Sequence, residues 1–215
     1  MHLEILVEDA SGKITLETLI PKVLGKFNEP HTWRIHGYKG IGRIPKNLRG
    51  TADPSKRILL DRLPQLLNGY SNSPGIDAVL VVLDSDTRSC VDFLAELKVI
   101  AANSYPNALF RLAIEEMEAW YFGDRVALKM AYPNAKDRVL NTYVQDSVCN
   151  TWETLADAIH PDGAAEIKKK GWPIPGQIKC EWAERIPQYM DIDNNQSMSF
   201  RKFVQGLRKL TLVPQ

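Results

Sequence analysis

The sequence predicts an α/β fold, a mostly parallel sheet flanked by helices and followed by a helical C-terminal cap. Three observations predict it. Six consecutive apolar residues, Ala78–Leu83, rich in β-branched side chains, read as a central strand buried on both faces, and they end abruptly on Asp84-Ser85-Asp86. Leu3–Val7 repeats that grammar near the start: a short apolar strand stops on Glu8 and Asp9, and a helical pattern follows. After Glu115 the spacing of apolar residues turns mostly helical.

The elements follow in order. Leu3–Val7 forms the first strand, and Ser11 and Gly12 turn the chain into a helix over 13–26 with Ile14, Leu19, Ile20, Val23, Leu24 and Phe27 along one face. A strand over 31–36 precedes a basic loop and a helix over 54–68, started at Asp53 before Pro54 and kinked at Pro64. Strand 77–83 leads to a helix over 90–102, for which Ser89 and Asp92 make a capping box, and strand 109–114 completes the sheet. Further helices are expected over 115–130, 137–147, 151–159, 178–190 and 198–210. In the last, Phe200, Phe203, Val204, Leu207 and Leu210 share an apolar face. Gly171–Gly176, GWPIPG, is the expected flexible junction. The α/β core thus covers residues 1–122, and the helical extension 123–215 packs on it as one globular unit.

Composition bounds the function. At 215 residues and 44% hydrophobic content the chain can bury a full core. No apolar stretch approaches membrane-spanning length and no signal-peptide pattern is present, so a soluble cytoplasmic protein with no membrane partner is expected. Cys90, Cys149 and Cys180 lie far apart without CxxC pairing, which argues against a zinc site or a disulfide framework and agrees with a reducing compartment. The P-loop, dinucleotide and serine-hydrolase signatures are all absent. Asp191–Asn195 opens like an EF-hand loop, but Gln196 and Lys202 stand where glycine and glutamate are needed, so a capping run before the last helix explains it better.

The chemistry concentrates where the strands end. Two carboxylates one residue apart, Asp84 and Asp86, are costly at a strand end unless a cation shares the site, and a hard divalent ion is the common solution. Asp84 as a turn cap with Asp86 solvated is the other reading of a lone DxD. Ligands of parallel sheets bind beyond the carboxyl ends of the strands, so Glu8, Asp84 and Asp86 would converge there if the two strands are neighbours.

A glutamate closing the first strand and a DxD closing a later one resemble the Toprim domain of topoisomerases, bacterial primases and overcoming-lysogenization-defect nucleases. Leu112–Asp124, LAIEEMEAWYFGD, is similar to the strand-then-E-x-E-A-W segment of a Toprim-like bacterial family often associated with ATPases and phage defence. Ser197–Leu210, SMSFRKFVQGLRKL, looks like that family's closing S-F-R helix. Asp9 departs from the pattern, since Toprim domains carry glycine after the first glutamate. The resemblance implies a Toprim-like (Rossmann-like) fold and Mg²⁺ or Mn²⁺ as cofactor. It implies Glu8 as metal ligand or proton acceptor, Asp84 and Asp86 as the metal-binding pair, and Glu118 as a further ligand. Glu115 and Glu116 are weaker candidates, and a helix would put Glu115 and Glu118 on one face. Implied partners are DNA or RNA, a partner ATPase and further copies of the chain in a homo-oligomer.

Charge distribution points the same way. Net charge is only +1, yet the segment from His31 to Arg62 carries eight Lys/Arg against Asp53 and Asp61. From Asp84 to Asp124 eight acids face Arg88, Lys98 and Arg111. Basic and acidic lobes on one domain suit an enzyme that grips phosphate beside a metal-loaded centre. Within the basic lobe, Gly37–Leu48 is the most loop-like, and Lys39, Arg43 and Lys46 are its candidate nucleic-acid contacts; a solvated loop is the alternative. The expected function is a metal-dependent phosphoryl-transfer enzyme, foremost a nuclease. A non-catalytic regulatory or partner-binding subunit and a nucleotide-sugar transferase are the other readings.

Overall fold

The computed structural model describes residues 1–45, 58–105 and 107–212. In chain order its elements are β1 (His2–Val7), α1 (Ala10–Leu24), β2 (Thr32–Gly37), α2 (Leu59–Ser71), β3 (Ala78–Asp84), α3 (Cys90–Ala102) and β4 (Leu109–Ala113). Then follow α4 (Glu118–Phe122), α5 (Arg125–Ala131), α6 (Asp137–Thr142), α7 (Thr151–Ile159), α8 (Gly163–Lys169), α9 (Ile174–Arg185) and α10 (Met198–Leu212). The four strands form one all-parallel sheet in the order β2-β1-β3-β4. This is an α/β fold with helices on both faces of the sheet.

β3 is central because its apolar run can be covered on both sides. Leu80 and Val82 join Leu3, Ile5 and Val7 against α1 and the helices of the second half. Val79, Val81 and Leu83 join Leu6 against α2 and α3, which contribute Leu59, Leu63, Phe93 and Leu97. Complete burial of each such side chain is worth about 1.5–3 kcal/mol, so the continuous run dominates the sheet's stability. The first of these clusters also takes in Trp120, Trp182, Phe200 and Phe203, so the C-terminal helices and the sheet share one core. Trp120 lies 4.9 Å from Phe203 and 5.4 Å from Phe200, ring centre to ring centre, and its indole N–H donates to Ser199 Oγ at 3.0 Å.

Several sequence expectations are corrected. Helix α1 starts at Ala10, with Asp9 as its N-cap: Oδ1 accepts from Gly12 N at 2.7 Å and Oδ2 from Ser11 Oγ at 2.8 Å. Gly12 is therefore inside the first turn, where a Cβ would meet Val7 Cγ2 at 2.6 Å; close packing of helix on strand, not a turn, requires glycine. The expected helix 115–130 is two short ones, α4 and α5, broken where Gly123 abuts Asn195 and Asp124 caps α5 through Ala127 N at 2.9 Å. Helix 178–190 begins earlier, at Ile174, so GWPIPG runs into α9 instead of standing as a separate junction. Helix α10 is capped by Ser197, whose Oγ accepts from Phe200 N at 3.1 Å, and not by the 191–195 run. The Ser89 cap of α3 is present, its Oγ accepting from Asp92 N at 3.4 Å. Asp53, Pro54 and the start of the predicted second helix lie outside the described residues.

Among the described residues no helix is long and apolar enough to cross a membrane.

Candidate functional site

Parallel pairing of β1 with β3 brings the acids together. Val7 stands opposite Val82, so Glu8 and Asp84 emerge side by side at the carboxyl edge of neighbouring strands. Asp84 N donates to Glu8 Oε2 at 3.4 Å. The edge beyond β3 is stitched to that beyond β4: Ser85 N donates to Ala113 O at 2.9 Å, Asp86 N to Glu115 O at 2.9 Å, and Glu115 N to Ser85 Oγ at 2.8 Å. These bonds extend the ladder past the strands and fix the position of the DxD.

The carboxylates crowd one another. Glu8 is pushed up to about 7, first by removal from water and then by Asp86 and Asp9. Asp84 is raised well above the usual carboxylate range by the same withdrawal from water, with Glu8, Glu118 and Asp9 adding repulsion. Glu118, only 3% exposed, is raised by burial, and Glu116 is pushed up to about 7 by burial and by Glu118. Against them stands one lysine that sequence reading missed. Lys179, from α9, places Nζ 3.2 Å from Glu118 Oε1 and 3.5 Å from Glu116 Oε1. Burial alone would lower its pKa, but Glu118, Glu116, Asp84 and Asp9 together hold it well above the ordinary lysine value. Among the described residues, the four carboxylates with raised pKa values, Glu8, Asp84, Glu116 and Glu118, share the Lys179 ammonium, and Glu118 Oε2 is buried there without a hydrogen-bond partner.

The remaining acids are placed differently. Asp86 sits at the same edge in a left-handed conformation, φ +48°, with its carboxylate 2.8 Å from Arg88 Nη2. Asp9 faces the cluster electrostatically while its oxygens cap α1. Glu115 does not share a helix face with Glu118: its backbone is left-handed at φ +57°, and α4 begins only at Glu118. Its carboxylate accepts from Cys149 N, Asn150 N and Thr151 N, each at 2.9 Å, and from the Thr151 hydroxyl. It is a cap for α7. Those bonds outweigh desolvation and hold its pKa below the usual value.

The basic loop is anchored directly on the site. Gly40 N donates to Glu8 O at 3.0 Å and Tyr38 N to Val7 O at 3.0 Å, which carries exposed Lys39 and Arg43 to the same edge. Gly40 has φ +113°, a conformation that favours glycine. Lys46 lies outside the described residues. Lys168, Lys169 and Lys170 are engaged with Glu153, Glu166 and Asp162 in surface ion pairs.

Among the described residues no three His, Cys, Asp or Glu side chains are gathered tightly enough to hold a metal ion by themselves. The donor chemistry nevertheless fits a hard ion. Mg²⁺ keeps several waters and commonly takes only one or two protein carboxylates, and Mn²⁺ favours the same oxygen donors. Glu8 and Asp84 would form such a pair, and Glu118 Oε2 is a buried acceptor with no donor among the described residues.

Comparison with curated proteins and with solved structures gives no match. A family model does match, over residues 7–208, a span that holds the acidic edge, the basic loop and Lys179. The chain belongs to the family described as Domain of unknown function (DUF4276).

Proposed function

We propose that this protein is a divalent-metal-dependent phosphoryl-transfer enzyme of Toprim type, a nuclease that hydrolyses DNA or RNA. One observation carries the reading. Glu8 and Asp84, adjacent at the carboxyl edge of a parallel sheet, belong to a group of mutually repelling carboxylates that Lys179 alone does not neutralise. Such a group is expensive to keep without a cation and well suited to one.

Glu8, Asp84 and Glu118 would hold Mg²⁺ or Mn²⁺, with Asp86 available once it leaves Arg88. When bound, the ion supplies charge stabilisation at the phosphate and a more acidic water. Glu8 serves either as a ligand of the ion or, where Asp84 and Glu118 hold the ion without it, as the proton acceptor, for which its raised pKa of about 7 suits it. Lys179, held by Glu116 and Glu118, presents fixed positive charge to a substrate anion. Lys39 and Arg43 would grip the nucleic-acid backbone beside Glu8. The Toprim resemblance supplies a biological setting, phage defence alongside a partner ATPase.

A second reading rests on the ion pairs. Lys179 with Glu116 and Glu118, and Arg88 with Asp86, engage three of the acids without any metal, as a non-catalytic partner-binding subunit would allow. The deciding experiment incubates the protein with plasmid, single-stranded DNA and tRNA in Mg²⁺, Mn²⁺ or EDTA, beside Asp84→Ala. Cleavage that needs the ion and is lost in the variant supports the nuclease. A folded protein that neither cleaves nor binds either ion by calorimetry leaves the partner-binding reading.

A further inference from the structure

A cavity of about 550 Å³ lies between α3, the outer strand β4 and α10. Its floor is apolar, with Leu94, Phe110 and Leu112 beneath it, and its rim is cationic, formed by Arg111, Lys202 and Lys209. None of these three cations has a carboxylate within ion-pairing distance among the described residues. Asp146 also borders the cavity, but its oxygens are engaged: Oδ1 by Ser197 Oγ at 2.8 Å and Gln145 Nε2 at 3.0 Å, Oδ2 by Ser199 N at 3.0 Å.

Arg111 is the built part of the rim. Its Nε donates to Lys202 O at 2.8 Å and its Nη1 to Phe110 O at 2.7 Å, which fixes the guanidinium flat on α10. Position 206 must be glycine for this, because a Cβ there would overlap the guanidinium. Nη2 lies against the Gly206 backbone and has no hydrogen-bond partner among the described residues, and the Arg111 side chain lines the cavity. A half-buried guanidinium bonded only to carbonyls has given up hydration without gaining an anion, and burial accordingly lowers its pKa with nothing to offset it.

Spacing narrows the ligand. Lys202 and Lys209 are two helical turns apart, roughly 10 Å along α10, with Arg111 lying across Gly206 between them. A single carboxylate cannot reach both ends, whereas a chain of two or three phosphoryl groups can. The volume falls within the roughly 300–1,000 Å³ of small-molecule sites. We infer that this cavity binds a nucleoside di- or triphosphate, its base on the Leu94–Phe110–Leu112 floor and its phosphates along Arg111, Lys202 and Lys209. None of Glu8, Asp84, Asp86 and Glu118 lines this cavity, and the inference stands whether or not the protein is a nuclease.

Calorimetric titration of ADP, ATP and pyrophosphate in EDTA tests it, using the Asp84→Ala protein so that the acidic edge cannot bind a metal–nucleotide complex. ADP and ATP should bind, and the Lys202→Ala/Lys209→Ala double variant, altered only at exposed side chains, should weaken them by at least about tenfold. Leu94→Ala should weaken ADP several-fold and leave pyrophosphate unchanged. The inference is overturned if neither nucleotide binds at millimolar concentration. It is equally overturned if pyrophosphate matches ADP, which would reveal a bare polyanion patch, or if the lysine variant binds as well as the parent.

Discussion

Glu115 and Asp84 sit at the same edge of the same sheet, on the segments that follow β4 and end β3, yet their surroundings are opposite. The Glu115 carboxylate accepts from three backbone N–H groups and one hydroxyl, and its pKa is lowered. Asp84 faces Glu8, Glu118 and Asp9, and its pKa is raised. The difference separates two uses of a carboxylate. One has its lone pairs filled by protein donors and holds a helix in place; the other is set among carboxylates, with Lys179 facing it as counter-charge.

The sharpest test replaces each in turn. Asp84→Ala should lower Mg²⁺-dependent cleavage by about a thousandfold, read as initial rate on a labelled oligonucleotide. The same variant, unfolded by urea in EDTA, should be at least as stable as the parent, because a repelled charge has gone. A large loss of stability would erase the distinction. Glu115→Ala should do the reverse: about 3 kcal/mol less stable in urea, with α7 losing its cap, and no direct effect on metal affinity.

Acid–base titration sharpens the contrast, since the two carboxylates respond with opposite sign. Glu8 has a folded pKa of about 7 against 4.5 unfolded, so the folded state binds more protons between those values. Its contribution is fully present below pH 4.5 and is lost as pH rises through 7, roughly 3 kcal/mol from this group alone. Mg²⁺ should restore that stability above pH 7. Glu115, with its pKa lowered, contributes above pH 4.5 and loses it as pH falls further. Thermal melts of the metal-free parent, Glu8→Gln and Glu115→Gln across pH 4–8 would display both slopes; a flat parent profile between 4.5 and 7 would refute the crowding at Glu8.

The smallest expected effect lies at the other cavity. Gly206→Ala should cost about 1 kcal/mol by displacing the Arg111 guanidinium, despite alanine's helical preference. In an Arg111→Ala background the sign should reverse, and chemical denaturation of the four proteins in the cycle measures the coupling.

Much of the framework was legible because burial on two faces leaves a continuous apolar run, and such runs end visibly. Ala78–Leu83 and Leu3–Val7 announced both their strands and the acids that follow. Their adjacency was not legible, since pairing order is settled by where helices pack. The Glu115–Glu118 spacing misled, because three residues apart means a shared face only if the backbone is helical, and Glu115 is left-handed. The break at Gly123 had a local signal, glycine followed by a capping aspartate, which a longer apolar periodicity masked. Lys179 carried no signal at all. It is one basic residue among 27, and only the packing of α9 against α1 gives it meaning.

That lysine has a consequence for how the protein is made. Glu8 leaves the ribosome 171 residues ahead of Lys179. A nascent chain that has emerged only as far as α4 holds the carboxylates without their ammonium, and it lacks Trp182, Phe200 and Phe203 from its core. Synthesis therefore delivers the acidic edge and its internal counter-charge at different times, and a half-made chain carries an incomplete centre.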